Sequence, residues 1–143
     1  MERAVVFDMD GVLVDSSERF RICEQESLGR KEFWRCFLSE KYIHLDKPRR
    51  EVAQLFQQYR ERGYKVFVVS GRPKRMMTVT LSQLLELGLR PDRVILKEGG
   101  YEVEHKVRVM RELAKRYEIE VVYDDNPKVA EALGNLGIKV LSP

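Results

Sequence analysis

The sequence has little cysteine, little asparagine and no long apolar run. Its only cysteines are Cys23 and Cys36, which excludes a disulfide-stapled scaffold of the kind small secreted domains depend on. A single bond between them stays open, but two reduced, partly buried thiols are the expectation. No apolar run approaches the ~20 residues of a membrane-spanning helix, so no membrane partner is expected. Met1-Glu2-Arg3 leads directly into a short apolar run with no signal-peptide pattern, and a cytoplasmic location is expected. Charge of one sign is also lacking. Lys+Arg is 26 and Asp+Glu is 23, a net charge of +3, unlike the one-sided charge of a dedicated nucleic-acid coat. No repeat, low-complexity tract or linker divides the chain.

What is present is enough for one domain. The 143 residues are 43% hydrophobic and 34% charged, so the chain can bury a core and disorder is excluded. Abundant Glu, Lys and Arg beside scarce Asn lean toward a heat-adapted composition.

Short apolar runs alternate with longer amphipathic stretches. Ala4-Val5-Val6-Phe7 stops at Asp8, Val66-Phe67-Val68-Val69 at Ser70-Gly71, Val94-Ile95-Leu96 at Lys97 and Ile119-Glu120-Val121-Val122-Tyr123 at Asp124; Ile138-Lys139-Val140-Leu141 comes last. Continuous apolar runs suit strands buried on both faces of a parallel sheet. Between them, four stretches have helical spacing. Pro48 can open the first, with Val52, Leu55, Phe56 and Tyr59 on one face; Met77, Leu81, Leu84 and Leu85 stripe the second. Val107, Met110, Leu113, Ala114 and Tyr117 stripe the third, and Asn126-Pro127 can cap the fourth. This alternation is the pattern of an α/β domain with right-handed crossovers. The segment from Asp15 to Lys47 breaks it and reads as one or two inserted helices, too short for a domain of its own.

Open parallel sheets bind ligands beyond the carboxyl ends of their strands. Asp8, Asp10 and Gly11 follow the first strand, Ser70, Gly71 and Arg72 the second, and Asp124 and Asp125 the fourth; Lys106 opens the helix before that fourth strand. Four carboxylates in a small volume are costly unless a cation or protons neutralise them. An all-oxygen donor set suits Mg²⁺ rather than Zn²⁺. A phosphate could bridge such a metal and Lys106, with Ser70 and the next backbone amide holding another oxygen. One carboxylate could attack phosphorus, and a second, two residues on, could serve as acid and then base.

Phe7-Asp8-Met9-Asp10-Gly11-Val12-Leu13-Val14-Asp15 resembles the first motif of the haloacid dehalogenase (HAD) superfamily. Val68-Val69-Ser70-Gly71-Arg72-Pro73 is similar to its second motif, Lys106 matches the third and Val122-Tyr123-Asp124-Asp125 the fourth. The resemblance implies a three-layer Rossmann-like fold, with a five-stranded parallel sheet of order 5-4-1-2-3 and helices on both faces. It implies one phosphatase domain over residues 1–143, with the short helical insert at about 15–47 in place of a full cap. The roles it implies make Asp8 the nucleophile and a Mg²⁺ ligand, and Asp10 the general acid/base with its backbone carbonyl on the metal. Ser70 would bind the phosphoryl group, with Gly71 and Arg72 beside it. Lys106 would neutralise the charge, and Asp124 and Asp125 would hold the metal. Asp10 favours phosphate chemistry over dehalogenation in this superfamily.

The order of Asp-x-Asp-Gly, Phe33-Trp34, Asp46 with Pro48, Ser-Gly-Arg and Tyr101-Glu102-Val103-Glu104-His105-Lys106 also looks like polynucleotide kinase 3′-phosphatase domains. Glu102 and Glu104 stand where those domains usually carry Arg-x-Asp. No Gly-rich Walker loop is present in these 143 residues, so no kinase half is expected within them. The expected function is Mg²⁺-dependent hydrolysis of phosphomonoesters through phospho-Asp8, with a nucleotide or nucleic-acid 3′-phosphate among the substrates and a homo-oligomer allowed. The alternatives are a phosphomutase or phosphotransferase with the same intermediate, or a non-catalytic phosphate- or metal-binding module. Plainer readings stand beside these. Arg72 divides evenly between solvated side chain and site residue, Lys97 reads as a surface lysine, Asp15 as a helix cap, and His44 and His105 as surface histidines. Phe33, Trp34 and Phe37 read first as core, with a wall over the site or a base-stacking surface as the alternative.

Overall fold

A computed structural model describes all of residues 1–143. A parallel sheet of five strands forms its centre: β1 (Glu2–Phe7), β4 (Lys65–Pro73), β5 (Arg93–Lys97), β6 (Tyr117–Tyr123) and β7 (Val140–Leu141), in the order β5-β4-β1-β6-β7. A separate two-residue pairing joins β2 (Val14–Asp15) to β3 (Lys47–Pro48). Without that small pair, the strands count 3-2-1-4-5 across the sheet, the 5-4-1-2-3 arrangement seen from the other edge.

Side chains alternate across a strand, so one apolar run can supply two cores. Val5 and Phe7 of β1, with Val66 and Val68 of β4, pack on one face against Val52, Phe56 and Tyr59 of α3 (Arg50–Glu61) and Leu84 of α4 (Met77–Glu86). Ala4 and Val6, with Phe67 and Val69, pack on the other against Met110 and Leu113 of α5 (Glu102–Ala114) and Val129 and Leu133 of α6 (Pro127–Gly134). These faces make the three layers. Asn126 caps α6 as expected: Lys128 N donates to its side-chain oxygen at 2.9 Å.

Four details differ from the expectations. Pro48 does not open a helix: it pairs with Val14 in β3, and α3 begins at Arg50. The stripe on α4 is only partly covered, because Leu81 and Leu85 are exposed while Leu84 and Thr80 face the core. α5 starts at Glu102, a turn before its apolar stripe, and Tyr117 belongs to β6. Cys23 and Cys36 are not free thiols. The insert folds into α1 (Ser17–Glu26) and α2 (Arg30–Phe37), and the turn between them brings the two Cα atoms to 5.6 Å, where a disulfide joins them. Phe33 stacks on Phe37 within this insert while Phe20 and Trp34 meet Phe33 edge to face, with Phe37 buried and Trp34 half-exposed.

Candidate active site

Every expected site residue except Lys106 lies at the carboxyl end of β1, β4 or β6. β1 ends at Phe7 and the chain turns at once around one carbonyl: Met9 O accepts from the amides of Val12, Leu13 and Val14 at 3.0–3.1 Å. Met9 N donates to Asp8 Oδ1 at 2.8 Å, which fixes that carboxylate against the strand end. Gly11 completes the turn at φ +80°, a conformation glycine adopts at little cost. A methyl group on Gly11 would lie 2.1 Å from Asp125 Oδ2, so the turn is also the floor on which Asp125 rests.

The fourth motif arrives beside it. Asp8, Asp124 and Asp125 bring carboxylate oxygens within 4.8 Å of one another. Burial raises the Asp8 carboxyl well above the ordinary range; Lys106 pulls it back, and Asp124 pushes it further up. Burial and the Asp124 charge raise Asp125 in the same direction. Such a cluster favours either protons or a cation, and its donors are all oxygen, which fits a hard divalent ion. The Asp10 carboxylate is not part of it, so any metal contact from Asp10 falls to its backbone carbonyl.

Asp10 points instead into a buried network of charged and polar side chains. Arg72 holds it in a fork, Nε to Oδ2 at 3.1 Å and Nη2 to Oδ1 at 2.9 Å. Arg19 of α1 holds it from the other side through Nη2. Both arginines are fully buried, so Arg72 is not a solvated side chain. Arg19 also donates from Nε and Nη2 to Asp46 at 2.9 and 3.0 Å and from Nη1 to Phe37 O at 2.6 Å, and lies over the Phe37 ring. Gln83 donates to Asp46 at 2.9 Å, and Arg72 donates to Thr80 and Gln83. Burial alone would raise the Asp10 carboxyl, but the guanidiniums of Arg72 and Arg19 outweigh it and lower it. Asp10 is therefore held ionised.

Lys106 is almost wholly buried and donates to Asp124 Oδ2 at 2.5 Å and Glu102 Oε1 at 2.9 Å, with Asp8 Oδ2 at 3.2 Å. Burial alone would lower its ammonium, but the three carboxylates raise it, so it stays charged. Asp124 Oδ1 accepts from Asn126 N at 2.9 Å. On the facing strand, Ser70 Oγ accepts from Arg72 N at 3.0 Å, and Ser70 O meets His105 Nε2 at 3.0 Å. His105 is thus no surface histidine: it is buried and ties α5 to the Ser70 turn, and burial lowers its pKa. His44 is exposed, Lys97 donates only to Gly100 O, and Asp15 accepts from Ser17 N at the start of α1.

This constellation can be compared with known proteins. The family described as HAD superfamily, subfamily IIIB (acid phosphatase) matches residues 1–130. The chain belongs to this family. No curated protein matches the sequence. Among solved structures, a chain of the Pnkp1/Rnl/Hen1 complex is 18% identical with a TM-score of 0.79, covering 100% of this chain and 46% of that one. The class C acid phosphatase from Bacillus anthracis with tungstate bound is 14% identical with a TM-score of 0.73, covering 99% and 65%. A phospho-aspartyl intermediate analogue of phosphoserine phosphatase is 18% identical with a TM-score of 0.60, covering 94% and 82%. This HAD chain thus spans about half the length of the chain it matches in that complex. At these identities the solved structures show the fold alone. No helix is long and apolar enough to cross a membrane.

Proposed function

We propose that the chain is a Mg²⁺-dependent phosphatase that takes the phosphoryl group of a phosphomonoester onto Asp8 and returns it to water. The observation that carries this reading is the setting of Asp8, buried at the end of the central strand with one oxygen on the Met9 amide and the other facing Lys106. In the first half-reaction an Asp8 oxygen attacks phosphorus, the bond to the leaving oxygen breaks, and Asp10 supplies its proton. In the second, water attacks the same phosphorus, Asp10 takes the proton, and Asp8 leaves as a carboxylate. One water is consumed, and an alcohol and inorganic phosphate are released. Asp10 is ready as the base; as the acid it must first gain a proton against the pull of two guanidiniums.

Ser70 and the Gly71 amide hold phosphoryl oxygens, Lys106 balances their charge, and Arg72 positions Asp10. Asp8, Asp124, Asp125 and the Asp10 carbonyl would hold Mg²⁺, which when bound supplies the charge that lets a phosphate approach these carboxylates. The whole chain acts as one phosphatase domain, and the insert at 15–47 supports Asp10 through Arg19 rather than covering the site. A site without a full cap admits bulky substrates. Similarity to a chain of the Pnkp1/Rnl/Hen1 RNA repair complex makes nucleotide and nucleic-acid 3′-phosphates the first substrates to test. A phosphotransferase would have to exclude water from the same intermediate, and so short an insert offers little closure. The Cys23–Cys36 disulfide fits an oxidising compartment or the cytoplasm of a heat-adapted source; the charge-rich composition favours the second.

Hydrolysis of p-nitrophenyl phosphate with and without Mg²⁺, by the native chain and by Asp8→Asn, tests the reading. Metal-dependent turnover that Asp8→Asn abolishes is expected. Equal turnover by both removes the nucleophile, and no turnover with any divalent metal leaves a binding module. A panel of 3′-phosphorylated oligonucleotides, nucleotides and sugar phosphates then assigns the substrate.

A further inference from the structure

Glu102 has no part in the chemistry above, yet it reaches the centre of the site. Lys106 Nζ has three protons and faces three carboxylates: Asp124 at 2.5 Å, Glu102 at 2.9 Å and Asp8 at 3.2 Å. It donates to Asp124 and Glu102 and forms an ion pair with Asp8, so carboxylates crowd it on three sides. A phosphoryl oxygen can reach Lys106 only if one of the three withdraws.

They are not equally free to do so. Asp8 and Asp124 are buried, and each has its other oxygen on a backbone amide, Met9 N at 2.8 Å and Asn126 N at 2.9 Å. The Glu102 side chain is 37% exposed, and its Oε2 accepts no hydrogen bond. It is the carboxylate that can leave. It also lies where a substrate phosphoryl group belongs. A methyl group built on Gly71 would meet Glu102 Cγ at 3.0 Å and Oε2 at 3.2 Å, so the carboxylate covers the Ser70–Gly71–Arg72 backbone. One end of Glu102 thus sits over the phosphate-binding turn while the other end occupies Lys106.

We infer that Glu102 is a built-in competitor for the phosphoryl subsite, a carboxylate that fills the place of a substrate phosphate between Lys106 and the Gly71 backbone and must swing out before substrate binds. The inference rests on the phosphatase reading of the same site. It makes Glu102 a specificity-determining residue: it weakens retention of inorganic phosphate, the product with fewest other contacts, and favours substrates whose remaining groups add binding energy. The plainer role, an ion pair one helical turn apart that orients Lys106, makes the opposite prediction.

The experiment compares the native chain with Glu102→Gln and Glu102→Asp. It reads kcat and KM for p-nitrophenyl phosphate, the inhibition constant of inorganic phosphate, and direct calorimetric binding of inorganic phosphate in the presence of Mg²⁺. Competition predicts that Glu102→Gln binds inorganic phosphate about fivefold to tenfold more tightly and lowers KM similarly, as expected when a like charge is removed from the subsite. kcat should stay within about twofold, because the group leaves before the chemical step. Glu102→Asp, a methylene shorter, should fall between the two. Unchanged or weaker phosphate binding, or a fall in kcat with KM constant, overturns the competitor and leaves an orienting ion pair, while metal-dependent turnover by the native chain keeps the phosphatase reading. A native chain that neither binds inorganic phosphate nor turns over overturns both. Circular dichroism and thermal midpoints confirm that the variants are folded.

Discussion

Arg19 connects the insert to the chemistry, and its removal has a calculable cost. The side chain is fully buried and donates to Asp46, to the Phe37 carbonyl and to Asp10. Arg19→Leu leaves Asp46 with only Gln83 at 2.9 Å and a stretched Arg72 contact at 3.5 Å. Breaking one side of a buried ion pair typically costs about 3–5 kcal/mol, because the remaining charge stays desolvated. For a chain of this size that is a fall in Tm of roughly 10–20 °C. Arg19→Lys keeps the charge but loses the fork, and should cost about 2 kcal/mol. The double variant Arg19→Leu with Asp46→Leu removes both charges and should be at least about 1 kcal/mol more stable than Arg19→Leu alone. Catalysis should suffer as well. Asp10 keeps only Arg72 and loses the second contact that fixes its position, and kcat should fall about tenfold or more. The assay is thermal and chemical denaturation of the four proteins beside steady-state turnover. If Arg19→Leu melts within about 3 °C of the native chain and keeps half its kcat, the network does not support Asp10 as described.

Gly11→Ala should displace Asp125, because the added methyl falls 2.1 Å from its Oδ2 at a φ of +80°; metal affinity measured by titration calorimetry should drop about tenfold to a hundredfold. His105 is held neutral by burial, its pKa below the ordinary 6.5. The unfolded chain therefore binds a proton that the folded chain refuses, and stability falls as pH drops below about 6.5, by up to about 1.4 kcal/mol per pH unit. Denaturation at pH 7.5 and 5.5 should show a smaller loss for His105→Gln. Reducing the Cys23–Cys36 disulfide, which closes a separation of 13 residues, should cost about 3 kcal/mol; a thermal midpoint that is unchanged by reductant would contradict it.

Much of the molecule could be read from local pattern. The five sheet strands are continuous apolar runs, and Asp8, Ser70 and Asp124 stand out because each immediately follows one. Lys106 was legible from its place before the last of these. Asp46 stood out only through the resemblance and Arg19 not at all, because their meaning is set by partners distant in sequence: Arg19 meets Asp46 across 27 residues, and Arg72 meets Asp10 across 62. The one available signal was Arg19 lying four residues before Cys23, on the buried side of an otherwise polar helix. His105 was misplaced because α5 begins a turn before its apolar stripe. The disulfide depends on how α1 and α2 fold back on each other, which no spacing rule specifies. Leu81 and Leu85 carry helical spacing but stay exposed, since periodicity marks a face without saying what covers it.

The central claim is a covalent phosphoryl group on Asp8, and it can be tested on that atom. The native chain is mixed with substrate and Mg²⁺, quenched within one turnover, reduced with borohydride and digested for mass spectrometry. An acyl-phosphate at Asp8 is reduced to the alcohol of homoserine, so the peptide spanning Phe7–Val14 should carry homoserine at position 8 only when substrate and metal are both present. Unmodified Asp8 in every sample that turns over, or reduction at another carboxylate, would contradict the account.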